Sequence, residues 1–264
     1  MHKNIFILGI INILLINNAL AQDSTYVFIY PSAKDIDVSV ECNLSECDEC
    51  VTYDYTIYSL LTSEQDVWTF RVDYTGGTID SLESPEGWSV LKPKDTSIIS
   101  WGAKDTSTFI RPGHQLDGFR IVSPELPMIG TYYVQGYFPT PVLESEPDSV
   151  IGGSFYENSK KGQTLVPMND TDPFMPFTFL DRICTYQQQA YDLGWISDQG
   201  VFSSLRVKLN NAKEQLEKGH IHTVIKLLSA YINELDAQKE KNLTDEAYGL
   251  LKFNSEYLVE KISE

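Results

Sequence analysis

Positive charge is scarce in this chain of 264 residues: Lys and Arg number 20 against 37 Asp and Glu, a formal charge of −17. Such a surface has no general attraction for a phosphate backbone or an anionic bilayer, which argues against nucleic acid as a partner. Histidine is scarcer still, at four residues, and none stands in a recognisable catalytic context. There is no Gly-x-Ser-x-Gly, no His-Glu-x-x-His, no P-loop and no dinucleotide fingerprint, so chemistry built on those geometries has no signature. A serine triad would have to recruit His114, beside the turn Pro112-Gly113. Four cysteines are too few for a disulfide-dense miniprotein. Beyond residue 21 no run of 18 apolar residues occurs, so the rest of the chain has no candidate membrane span.

What is there begins with an export signal. Met1-His2-Lys3 is a short basic start, Ile5 to Ile16 is apolar, and Ala19-Leu20-Ala21 puts small residues where a signal peptidase reads them. Cleavage is expected between Ala21 and Gln22. About 12 apolar residues make roughly 18 Å of helix against a hydrocarbon core of roughly 30 Å, which suits a leader better than an anchor. No Cys follows the cut, which argues against a lipid anchor there. The expectation is a secreted, periplasmic or cell-surface protein with no membrane span in the mature chain.

Hydrophobic residues at 42% and charged ones at 22% are ordinary for a globular protein. The charge is unevenly spread. Residues 205–264 hold nine basic and ten acidic residues, whereas residues 22–204 hold ten and 27. Two electrostatically different halves point to two domains.

The acidic half alternates with period two. Tyr26 to Tyr30, Asp37 to Val40, Tyr53 to Ile57, Val67 to Val72, Ser97 to Trp101, Gly118 to Ser123 and Thr131 to Tyr137 are expected strands. Gly76-Gly77, Pro85-Glu86-Gly87, Pro93, Pro112-Gly113 and Pro127 punctuate them as turns. Short strands at this spacing predict an antiparallel β-sandwich, immunoglobulin-like in general form, over residues 22–166. Trp68, Trp88 and Trp101 could be pictured as a carbohydrate-stacking platform, but large aromatics on strands usually fill a core. The acids could offer oxygen ligands to Ca²⁺, although no EF-hand spacing occurs. No other cofactor or metal is implied.

Cys42, Cys47 and Cys50 cluster, and Cys184 lies far downstream. In an exported chain four cysteines suggest two disulfides rather than a zinc site. A redox site at Cys47-Asp48-Glu49-Cys50 is disfavoured, because two acids between the thiols raise their pKa. Three connectivities are open. One has Cys42 facing Cys50 across a hairpin, leaving Cys47 at its tip to staple Cys184.

A proline-rich linker, residues 167–177, separates the halves, and residues 178–264 follow a helical period. Phe179, Ile183, Tyr186, Ala190 and Leu193 make a first helix, stopped by Gly194. Leu205, Leu209, Ala212 and Leu216 make a second, stopped by Gly219. Ile221, Val224, Leu228, Tyr231 and Leu235 make a third. Thr244 is the expected N-cap of a fourth, with Asp245 and Glu246 favouring its dipole. Short connections imply a small antiparallel bundle. His220 and His222, two residues apart, do not share a helix face and suit capping or solvent better than a metal.

The runs Leu193-Gly194-Trp195-Ile196, Ser204-Leu205-Arg206-Val207-Lys208-Leu209 with Ala212, Leu227 to Ile232 and Leu243 to Leu251 resemble the FIMAH-type helical module. The resemblance covers about residues 178–264 and implies a surface or extracellular accessory module of exported bacterial and archaeal proteins. It brings no catalytic residues. The expected fold is therefore α+β in two domains, sandwich then bundle. The expected function is binding, adhesion or surface assembly without catalysis, with protein or polysaccharide at the cell exterior as partner. The alternative is a secreted hydrolase using paired carboxylates, such as a small glycosidase, because acid pairs leave almost no sequence signature.

Overall fold

In the computed structural model residues 33–74, 76–93, 97–137, 155–169 and 173–264 are described. The leader, its cut at Ala21 and Gln22 and the strand expected at Tyr26 to Tyr30 lie outside these residues.

Among the described residues nine strands form two antiparallel sheets. The first pairs β1 (Val38–Cys47), β2 (Cys50–Ser59), β7 (Gln115–Ser123) and β4 (Ser81–Glu83) in the order β1-β2-β7-β4. The second runs β5 (Trp88–Leu91), β6 (Ile98–Ala103), β3 (Val67–Asp73), β8 (Pro127–Gly136) and β9 (Lys160–Pro167), in the order β5-β6-β3-β8-β9. In β2, Val51, Tyr53, Tyr55 and Ile57 turn inward while Thr52, Asp54 and Thr56 stay half-exposed, as the alternation requires. Three strands escape the periodicity. β4 has three residues, β5 four, and β9 opens with the exposed pair Lys160-Lys161 before burying Thr164, Leu165 and Val166. β9 is the edge of its sheet, where lysines discourage pairing with a foreign strand.

Between the sheets lies an aromatic core. Phe70 stacks on Trp101 with ring centroids 5.2 Å apart, Trp88 meets Phe119 edge-on at 5.0 Å, and Tyr55 meets Phe70 at 5.6 Å. Each polar handle finds a backbone acceptor. Trp101 donates to Glu83 at 2.8 Å, Trp88 to Thr108 at 2.9 Å, Tyr53 to Glu125 at 2.8 Å and Tyr55 to Leu165 at 2.8 Å. Trp88 and Trp101 are thus core residues, not a binding platform. Trp68 is half-buried, its ring edge-on to Tyr137.

Among the described residues four helices follow β9: α1 (Pro176–Asp192), α2 (Gln199–Glu217), α3 (Ile221–Gln238) and α4 (Asp245–Ser263). Their ends obey local chemistry. Pro176 opens α1, where its missing N–H costs nothing. Gly194 and Gly219, at φ 76° and 70°, take the left-handed conformation that ends α1 and α2. Asp198 caps α2 by accepting from the Val201 N–H at 2.8 Å, and Thr244 caps α4 by accepting from the Ala247 N–H at 3.3 Å. The His220 ring does not reach the last carbonyls of α2, although its backbone N–H donates to the Gln215 carbonyl at 3.0 Å. His220 occupies the N-cap position of α3, and its Nδ1 lies 2.9 Å from the side-chain oxygen of Gln215.

The sandwich and the bundle share one continuous hydrophobic core. α4 lies along the open side where β1, the edge of one sheet, faces β9, the edge of the other. The buried Cys42 N–H donates to Glu246 Oε1 at 2.8 Å, and Asn254 Nδ2 donates to the Pro127 carbonyl at 3.0 Å. Gly249 lets the helix backbone settle on Leu44 of β1. A helix thus covers an edge that would otherwise offer unpaired backbone groups.

Candidate functional site

The four cysteines do not pair as the hairpin argument expected. β1 runs through to Cys47 and β2 starts at Cys50, so the strand register sets Cys47 against Cys50 and Cys42 against Tyr55. Cys47 and Cys50 form a disulfide with their Cα atoms 4.9 Å apart, closing the Asp48-Glu49 turn. Cys42 and Cys184 are free thiols. Cys42 is wholly buried at the contact with α4, and burial, then the nearby Glu246 charge, push its thiol pKa well up. Cys184, on α1, is half-buried, and burial followed by Asp181 raises its pKa too. No disulfide joins sandwich to bundle among the described residues; Glu246, Asn254 and the apolar contact of Leu44 with Gly249 hold them together. Among the described residues, no group of three or more His, Cys, Asp or Glu could hold a metal ion.

Among the described residues, two solvent-open clefts collect polar side chains. One, of about 770 Å³, lies at the end of the sandwich and collects Glu86, Asp105, Ser107, Arg111 and His114. These are the residue types of a hydrolytic relay, but their hydrogen bonds point elsewhere. The Ser107 hydroxyl and N–H both go to Asp105 Oδ1, drawing the Asp105 carboxyl below its usual range. His114 Nδ1 lies 3.2 Å from the carbonyl of Pro112, two residues away. Nearby acids are also engaged structurally: Asp54 and Glu83 both meet Arg120, at 2.6 and 3.2 Å, as cross-strand partners.

The other cleft, of about 550 Å³, runs between α1 and α2. Asp181, Cys184, Thr185, Gln187 and Gln188 come from α1 at helical spacing, and Phe202, Arg206, Asn210 and Lys213 from α2. Lys213 pairs with Asp181 at 2.5 Å. Arg206 uses one N–H, to Gln188 Oε1 at 3.1 Å. The Gln187 side chain is buried and donates to the Phe202 carbonyl at 2.8 Å, while its Oε1 accepts no hydrogen bond. Except for Cys184, sequence reasoning singled out none of these residues for a site. Spacing on two helices shows which face is polar, but not that two polar faces meet.

No curated protein matches the chain in sequence. An immunoglobulin-like protein from Nocardia farcinica shares 11% identity, with half of this chain covering 98% of that one at a TM-score of 0.31. A GH20 exo-β-N-acetylglucosaminidase from Vibrio harveyi shares 13%, with 53% of this chain covering 19% of that one at a TM-score of 0.25. Likenesses this loose carry no inference about activity. Among the described residues no helix is long and apolar enough to cross a membrane. The family match falls on the helices: residues 186–260 match the model of the FIMAH domain.

Proposed function

We propose that this chain is an exported, non-catalytic protein for binding or surface assembly. In this reading an acidic sandwich (22–166) and a FIMAH bundle (178–264), joined by the linker at 167–177, work as one unit. The observation that carries it is the FIMAH match on helices that bury their inner faces against one another, with α4 docked on the sandwich, which leaves polar outer faces to meet a partner. Export is supported by the leader composition and by the occurrence of this module in exported proteins. A strongly negative chain favours protein or polysaccharide at the cell exterior over nucleic acid.

The test is to express the whole chain with its leader in a bacterial host and to follow it by fractionation and protease treatment of intact cells. The expected product begins at Gln22, leaves the cytoplasm, and is either released to the medium or periplasm or is cut by added protease. An uncut chain retained in the cytoplasm would overturn the reading.

A further inference from the structure

The α1–α2 groove combines features that a solvated helix face does not need. Arg206 spends one of its five N–H donors on Gln188, so the remaining fork can receive a carboxylate. Lys213, although paired with Asp181, adds a second cation on the same wall. At the floor, Gln187 is only 1% exposed, and its Nε2 is fixed on the Phe202 carbonyl across the two helices. That bond holds the side-chain amide between α1 and α2, and its Oε1 is left without a donor. A buried acceptor left unmade is costly, so a donor supplied from outside would be favoured there.

We propose that this groove binds an acidic segment of an extended peptide. The carboxylate takes Arg206, with Lys213 adding charge, and an adjoining backbone N–H donates to Gln187 Oε1. The inference rests on the reading of the protein as a binding module and names its site and ligand class. Peptide is favoured over acidic sugar by the groove's only aromatic wall. Phe202 has one face stacked on Tyr191 at 4.2 Å and the Arg206 guanidinium over its ring at 5.7 Å, so it offers a pyranose little open ring surface. The volume of about 550 Å³ suits a few residues of chain.

The fold supplies its own reporter. Cys47 and Cys50 are joined and Cys42 is 0% exposed, so in the native protein Cys184, in the groove wall, is the one thiol an alkylating agent can reach. The mature chain is titrated with a capped Gly-Glu-Gly-Asp-Gly peptide, its Lys-for-acid counterpart and an oligogalacturonate, while iodoacetamide labelling of Cys184 is timed by mass spectrometry. The acidic peptide is expected to slow labelling several-fold, with the effect fading at high salt, and the lysine peptide to leave it unchanged. Arg206→Gln should weaken the acidic peptide by roughly tenfold, and Arg206→Lys by less. Gln187→Glu should abolish binding by placing a carboxylate at the floor. Arg206 is exposed, so its variants keep the fold even where Gln187→Glu does not. No protection of Cys184 by the acidic peptide, equal protection by the lysine peptide, protection by the oligogalacturonate alone, or indifference to Arg206→Gln would each overturn the proposal. Export of the protein is untouched by any of these results.

Discussion

Gly249 is the point at which the docking of α4 on the sandwich can be tested by the sign of a single substitution. A Cβ added there would lie 2.8 Å from Leu44 Cδ1, 3.0 Å from Cγ and 3.2 Å from Cβ. Turning the terminal methyl away does not relieve such a contact, because two further atoms of Leu44 are also too close. In an unencumbered helix interior Gly→Ala stabilises by about 1 kcal/mol. Overpacking a close-fitting site costs about 1–3 kcal/mol. Gly249→Ala should therefore destabilise the mature chain by about 1 kcal/mol, opposite in sign to the helix-propensity effect. In a Leu44→Ala background the two closest atoms are removed and only the 3.2 Å approach to Cβ remains, which a shift of a few tenths of an ångström relieves, so the same substitution should stabilise by up to about 1 kcal/mol. The assay is urea unfolding of all four proteins, followed by far-UV dichroism for the helices and by Trp fluorescence, to which Trp68, Trp88 and Trp101 of the sandwich contribute alongside Trp195. Because one core runs through both parts, the two signals should fall together. Stabilisation by Gly249→Ala in the wild-type background, equal to that in Leu44→Ala, would show that α4 does not rest on β1 and would refute the docked arrangement.

Thiol chemistry gives a second expectation: the native protein should present one slowly reacting thiol, the denatured protein two, and the denatured and reduced protein four. A Cys42 or Cys184 peptide found in a disulfide by non-reducing mapping would contradict the register of β1 on β2. Glu246 makes a pH prediction. Burial raises its carboxyl above the usual 4.5, outweighing the Cys42 N–H that favours the charged form. The folded state therefore holds its proton more tightly than the unfolded one, and the stability linked to that proton is full below the unfolded value and lost as pH rises through the folded value. Wild type should accordingly lose stability relative to Glu246→Gln as pH rises above the usual carboxyl value of 4.5, and a difference that moves the other way would exclude a buried carboxyl. Tyr55→Phe removes the donor to the Leu165 carbonyl inside the core and should cost about 1–2 kcal/mol in the same unfolding assay. A change within a few tenths would mean that this bond is not made.

Much of the architecture was legible because burial imposes a period. The inward row Tyr53, Tyr55 and Ile57 and the helical row Phe179, Ile183, Tyr186 and Ala190 are each buried as their spacing requires. Gly194, Gly219 and Thr244 end or begin helices through conformational and capping preferences that act within a few residues. β4 and β5 escaped notice because three or four residues are too few to display a period, and β9 because its exposed half carries the lysines of an edge.

The sequence by itself thus determined the inward rows of the longer strands, the four C-terminal helices with the stops at Gly194 and Gly219 and the cap at Thr244, the strong negative charge, and the resemblance of the last third to a FIMAH module. Each of these is written in neighbouring residues. Only the tertiary structure decided which cysteines meet, because the strand register, not proximity along the chain, sets Cys47 opposite Cys50 and leaves Cys42 against α4. The same is true of Glu246, which local chemistry marks as a first-turn acid and which the docked fold turns into the buried acceptor of an edge-strand N–H. It is true again of the α1–α2 groove, where Gln187 and Arg206 become neighbours because two helices pack side by side. Contacts between residues distant in sequence depend on how whole faces are oriented, and periodicity identifies a face without naming the face it will meet.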